Sequence, residues 1–182
     1  GTVGFVVFCI TALMGLFPWQ LSQHSPISIE GMNRLMPPSG EHWFGTDHLG
    51  RDLYSRIVHG TRISMMVSFA SIGVGCVSGY LLGVTTGFLG GKVDMIVQRV
   101  VDAMLAFPGI LLALVLISAL GPGVDKVIIA IAVGQAPRAA RVSRGVVLSV
   151  RQNVYVDAAR VVGASQLRIM LRHIVPNAMA PF

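Results

Sequence analysis

Between Ile63 and Gly91 the chain runs for 29 residues without a charge. At 1.5 Å per residue, a helix of that length exceeds the roughly 30 Å hydrocarbon thickness of a bilayer and can span it with tilt. Its glycines are in register: Gly75, Gly79, Gly83, Gly87 and Gly91 fall every fourth residue, with Ser71 one step earlier. Overlapping G-x-x-x-G steps cut a groove into a helix surface, so that a second helix can approach to backbone distance. On a helix of 3.6 residues per turn the stripe drifts by about 40° per step, a path that a partner crossing along the i±4 ridge can follow. A single partner is expected to use two or three of these steps. Glycine chosen only for its tolerance in lipid is the weaker explanation of five in strict register.

Composition agrees with a membrane setting. Hydrophobic residues make up 53% of the 182 and charged residues only 12%, about half the charged fraction of a soluble domain. Cys9 and Cys76 both lie in apolar runs, which excludes a disulfide framework or a cysteine metal cluster. The net charge of +6 would suggest nucleic acid if it were spread over the chain. It is not. Arg138, Arg141, Arg144, Arg151, Arg160, Arg168 and Arg172 face only Asp157, which gives this stretch +6, while the other seven basic and seven acidic residues cancel. A basic segment beside apolar spans is what a cytoplasmic loop carries. No aromatic residues interleave with the arginines as base stacking requires, so nucleic acid is not expected as a partner.

In chain order, residues 1–17 read as a first transmembrane helix: Val3 to Phe17 are apolar and Pro18 ends them. Fifteen residues fall short of the ~20 needed to span, and the chain opens on Gly1 rather than Met, so this span is expected to be cut short. A signal-peptide core is the alternative, disfavoured because no basic n-region precedes it and no A-x-A site follows. Residues 18–62 form a polar, proline-containing loop. Within it, Thr46 or Asp47 can cap a helix over 47–59, with Leu49, Leu53 and Ile57 along one side, Asp52 paired to Arg56, and Gly60 as the stop. His24, His42, His48 and His59 are separated by 18, 6 and 11 residues. Such spacings build no preformed ligand face, so these are expected to be solvated loop histidines and no metal site is predicted.

Further spans are expected at about 63–89, 103–120 and 127–144. Lys92, Asp94 and Arg99 mark a polar turn, Pro108 a kink, and Gly121 to Gly123 a tight outer turn. Asp102 is expected to face a helix N-terminus or to pair with Arg99. Arg138, Arg141 and Arg144 recur every third residue and are expected to snorkel to the inner headgroups. Placing the arginine-rich loop inside puts 92–99 inside, 18–62 and 121–126 outside, and the N-terminus inside.

The stretch Tyr155 to Asn177 reads YVDAARVVGASQLRIMLRHIVPN. Tyr155, Ala158, Ala159 and Val162 share a helix face, and Leu167, Met170, Leu171 and Ile174 form a second apolar stripe opposite Arg168 and Arg172. Gly163 turns the chain between the two helices, Ser165 can cap the second, and Pro176 is expected to end it. Asp157, Ala158, Ala159 and Gly163, followed by His173 and Pro176, resemble the cytoplasmic loop of ABC-importer permeases. That family writes E-A-A-x-x-x-G, nine residues, then I-x-L-P; here Asp157 stands for Glu, His173 for Ile and Val175 for Leu. A second segment, Gly45, Thr46, Asp47, Gly50, Arg51, Asp52, Ser55, Arg56, Gly60 and Arg62, resembles the G-T-D-x-x-G-R-D-x-x-S-R-x-x-x-G-x-R run of the dipeptide, oligopeptide and nickel importer permeases. Its helix 47–59 would lie along the interface.

The resemblance implies an all-α polytopic membrane protein with the type I ABC importer transmembrane domain over 63–182, truncated to four of about six spans. It implies a place in a bacterial or archaeal cytoplasmic membrane. The expected partners are membrane lipid, a second permease subunit, two ABC ATPase subunits and an extracytoplasmic solute-binding protein. Residues 151–176 would form the coupling loop, docking on an ATPase through Asp157, Ala158, Ala159, Gly163, His173 and Pro176. Gly75, Gly79, Gly83 and Gly87 would pack helices. The cargo would be small peptides or related solutes such as nickel. The chain has no G-x-x-x-x-G-K-[ST] loop and no nucleophile beside a base, so it is expected to be neither an enzyme nor a cofactor protein. An ion-coupled secondary carrier is the alternative, disfavoured because neither an inverted repeat nor a mid-span acid is evident. A purely structural membrane subunit is the remaining one.

Overall fold

The computed structural model describes residues 1–179. These form helices, turns and one isolated bridge, Thr46 to Asp52, with no strands among the described residues. They divide into two compact units, residues 1–68 and the described residues from 69 onward.

The first unit begins with α1 (Thr2–Leu16), which presents Phe5, Val7, Phe8 and Leu13 outward, each more than half exposed. Pro18 stops α1, because the residue before a proline is pushed out of the helical region, and it then opens the single turn α2 (Pro18–Leu21). Residues 22–52 have no regular structure and are held by side chains. Thr46 Oγ1 donates to the Asn33 carbonyl and accepts from the Met36 N–H at 2.9 Å. Asp47 accepts from the N–H groups of Leu49 (2.8 Å) and Arg51 (3.0 Å), from Arg51 Nε (2.9 Å) and from Arg56 Nη1. Gly50 has φ +78, and a methyl there would sit 1.9 Å from the Glu30 carbonyl oxygen, so only glycine fits.

The next helix, α3 (Leu53–Leu89), starts six residues later than the expected helix over 47–59 and runs 37 residues, straight through Gly60. Asp52 caps it, accepting from the Ser55 N–H at 2.7 Å. The expected Asp52–Arg56 pair does not form: Arg56 reaches Asp47 instead, and Asp52 turns to His42. Gly60 fails as a stop because a lone glycine costs a long helix only ~1 kcal/mol, and the residues on both sides still favour it.

The second unit contains the rest of α3 with α4 (Gly91–Ala106), α5 (Gly109–Leu120) and α6 (Val124–Val150). The polar turn expected at 92–99 is helical and lies within α4. Phe107 is extended ahead of Pro108, and α4 and α5 are bent by 96° at this break, so the span expected at 103–120 is split between two helices. Leu53–Leu89 is long and apolar enough to cross a membrane by itself, and the bent pair α4–α5 could make a second such element. The residues expected to span at 127–144 lie inside the 27-residue α6, which carries Asp125, Lys126, Arg138, Arg141 and Arg144. Two of these arginines leave the expected headgroup role for acids on α4. Arg144 grips Asp94 with two hydrogen bonds, 2.7 and 2.6 Å, and Arg141 pairs with Asp102, which therefore does not pair with Arg99.

Candidate coupling loop and the helix groove behind it

The glycine stripe of α3 faces α6. A methyl on Gly79 would stand 2.2 Å from the Ala136 carbonyl oxygen and 2.7 Å from the Ala139 methyl; on Gly83 it would stand 2.2 Å from the Ala140 carbonyl oxygen. At Gly75 the nearest atom is the Ala132 carbonyl oxygen at 2.8 Å, and at Gly87 the Arg144 and Val147 side chains are at 3.3 Å. Four glycines, and so three consecutive G-x-x-x-G steps, lie against α6, while Gly91 lies beyond the end of α3 with open space around it. The complementary surface is Ala132, Ala136 and Ala140 on α6, also spaced by four. The stripe is present in the sequence, where Arg138, Arg141 and Arg144 on the same helix mask its period. The close approach lets dispersion and Cα–H contacts accumulate along the seam, the attraction that remains between helices in lipid.

At its far end this seam becomes a small core. Val84 and Phe88 of α3 and Val147 and Val150 of α6 pack with Val156, Ile169, Ile174 and Ala178. The last four belong to α7 (Val154–Val161), α8 (Gln166–Ile169), a π-helical turn (Met170–Ile174) and α9 (Val175–Ala178). Two polar contacts pin this region: Tyr80 OH donates to the Val175 carbonyl at 2.6 Å, and Arg151 Nη1 donates to the Gly87 carbonyl at 2.8 Å while its guanidinium lies over the Phe88 ring.

The buried face coincides only in part with the stripes read as apolar in the sequence: Ala159, Met170 and Ile174 lie in or against the core, and the rest of each stripe does not. Val156 of α7 is wholly buried, whereas Val161 and Val162 are 88% and 87% exposed. Ile169 and Ile174 are buried, whereas Leu167 and Leu171 are exposed. Five residues separate Ile169 from Ile174, a spacing that would place them on different sides of an α-helix. The π turn, with its i→i+5 hydrogen bonds, brings them to one side. It also accommodates Pro176, which sits in the first turn of α9 instead of ending the helix. A proline has no N–H to donate, and the widened turn absorbs the loss.

Between α7 and α8 the backbone closes as a Schellman motif. Gly163 N–H donates to the Arg160 carbonyl and Ala164 N–H to the Ala159 carbonyl, both at 3.0 Å, with Gly163 at φ +84. Ser165 then caps α8 by accepting from the Arg168 N–H at 3.3 Å. The residues assigned to docking are therefore distributed as follows. Asp157 and Ala158 are exposed on α7, with Asp157 held by Arg160 at 2.8 Å. Gly163 is exposed at the turn, and nothing lies within 4 Å of where its methyl would be. Ala159 packs partly against the core, His173 is half-buried with its ring 6.1 Å from that of Tyr155, and Pro176 is exposed. Ala158, Val161, Val162 and Gly163 form an exposed strip of small and apolar groups beside the Asp157–Arg160 pair.

An all-helical chain with a 37-residue apolar helix, whose D-A-A helix is anchored on one face and open on the other, has the build of the membrane component of a transporter. Residues 79–182, more than half the chain, match the family described as binding-protein-dependent transport system inner membrane component, and the chain belongs to that family. It is 40% identical to the dipeptide transport system permease protein DppC of Alkalihalophilus pseudofirmus over 98% of its length. It is 41% identical over 97% of its length to the probable D,D-dipeptide transport system permease protein DdpC of Escherichia coli, and 36% identical over 97% to the oligopeptide transport system permease protein OppC of Bacillus subtilis. The chain spans 59%, 59% and 58% of these three relatives.

Proposed function

We propose that the chain is part of a permease subunit of an ATP-driven importer of small peptides. In this reading it crosses the cytoplasmic membrane several times and pairs with a second permease. Two ATPases on the cytoplasmic side drive it, and an extracytoplasmic binding protein delivers its cargo. The peptide class rests on the relatives, whose printed names specify dipeptide, D,D-dipeptide and oligopeptide transport.

The observation that carries the coupling role is the two-faced loop. Its inner face is locked to the α3–α6 seam by Val156, Ile169 and Ile174, while Ala158 and Gly163 are exposed beside the surface pair Asp157–Arg160. A partner seated on that strip can push on a rigid lever, because the loop is packed against the membrane helices rather than tethered to them. Closure of the ATPases would then tilt the helices between inward- and outward-open states. Small side chains suit such a seat, since Ala158 lets a partner's backbone come close and Asp157 offers a charge to a basic group. An ion-coupled carrier fits less well: the two acids of α4 nearest α6, Asp94 and Asp102, are both engaged by arginines.

The test uses the complete transporter in proteoliposomes. Ala158→Trp alters an exposed position, and Gly163→Leu forces a side chain into the φ +84 turn at a cost of about 1–2 kcal/mol. Both are expected to insert and fold, yet to lose peptide uptake while the ATPases still turn over. Wild-type uptake by both variants would overturn the coupling role.

A further inference from the structure

The loop of the first unit gathers side chains that lie far apart in the sequence. His24, Glu41 and His42 each place one potential ligand atom within 4.8 Å of the others. The rings of His24 and His42 are 4.9 Å apart. His42 is 3% exposed and Asp52 4% exposed, with His42 Nδ1 3.0 Å from Asp52 Oδ1. An ionised carboxylate only accepts, so Nδ1–H is the donor, and in the neutral imidazole Nε2 carries the free lone pair. Beside these groups lies a cavity of about 20 Å³ lined by His24, Glu41, Asp52, Tyr54 and Ser55, room for a single ion or water.

We propose that His24, Glu41 and His42 form a binding site for a divalent transition-metal ion, with Asp52 as the residue that positions His42. Two imidazoles and a carboxylate are a donor set that suits zinc, with a fourth position left for water. The carboxylate–histidine pair fixes the imidazole's tautomer and direction and raises its basicity, as an outer partner does in zinc sites. Bonds of about 2.0–2.2 Å put tetrahedral ligand atoms roughly 3.3–3.6 Å apart. Ligand atoms within 4.8 Å of one another must draw closer around an ion, and Glu41, exposed and on a loop, is free to turn toward the two imidazoles. A bound ion would tie residues 22–42 to the N-terminus of α3 through the His42–Asp52 pair. The site is independent of the transport reading, since it needs no ATPase and no cargo.

The experiment titrates Zn²⁺ into the tag-free full-length protein in detergent, after chelator treatment, by calorimetry. Saturable binding of one equivalent is expected. Glu41→Gln and His24→Gln should each weaken it tenfold or more, with the metal-free melting temperature unchanged. Asp52→Asn keeps one acceptor oxygen, for the Ser55 N–H, and loses the one that faces His42; it should weaken binding by about 10–100-fold, a loss read against its own metal-free melting temperature. His48→Ala, at an exposed histidine outside the cluster, should bind as wild type. No saturable site in the wild type, or a site that survives the paired His24→Gln and Glu41→Gln changes, overturns the proposal. An equal loss in His48→Ala overturns it as well, and an undisturbed affinity in Asp52→Asn overturns the positioning role.

Discussion

Asp47 shows how much of the loop rests on one side chain. Burial alone would push its carboxyl up, but the Arg51 and Leu49 N–H groups and the Arg51 guanidinium outweigh that and hold it well below the usual carboxylate range. A group whose pKa is lowered on folding contributes stability that is present above its unfolded value, near 3.9, and is lost as the pH falls through the folded one. Hydrogen-exchange protection over residues 30–52, taken relative to the intrinsic rate at each pH, should therefore hold from pH 7 to about pH 5 and fall progressively below about pH 4. Asp47→Asn should exchange faster at pH 7 and lose most of that acid dependence. An unchanged profile in the variant would show that other carboxylates carry the effect. The sequence offers Thr46 or Asp47 as the helix cap; in the structure Asp52 does the capping, while Asp47 gathers two arginines from one and two turns further on.

At the scale of the helix, the glycine stripe makes a sharp claim about substitution. Gly79→Ala puts a methyl against the Ala136 backbone, which cannot swing aside as a flexible side chain would. Overpacking of this kind costs about 1–3 kcal/mol. Gly73 lies on the same helix with nothing within 4 Å of its would-be methyl, so Gly73→Ala should be neutral or stabilising by up to about 1 kcal/mol. Thermal unfolding of the two variants in detergent checks this, and equal melting temperatures would remove the seam as a stabilising contact. The register of glycine was legible from its period of four. The turn at Met170–Ile174 was not, because a π turn leaves no apolar period of its own. The short helices around it carry apolar residues on two sides, and only packing against Val84 and Val147 selects Val156, Ile169 and Ile174 for burial.

Across the whole molecule, the contacts that define the second unit join residues distant in sequence. Asp94 and Arg144 are 50 positions apart and meet with two hydrogen bonds, their side chains 11% and 31% exposed. Removing one partner strands the other in a weakly hydrated setting, which is costly, whereas exchanging the two preserves the pair. Asp94→Arg or Arg144→Asp alone should lower the amount of folded protein recovered from membranes several-fold, and the double exchange should restore much of it. If the double variant is no better than the singles, the pair is not what holds α4 to α6.

The sequence by itself determined that the chain is helical, apolar enough for a bilayer, basic toward its C-terminal side, and a member of an importer-permease family. These follow from local composition, period and motif, which survive in any fold the chain adopts. Tertiary structure decided which charges neutralise one another, which face of the D-A-A helix is left bare, and that His24 and His42 stand side by side. Each depends on where distant segments come together. A spacing of 18 residues between two histidines carries no record of a loop that folds back on itself.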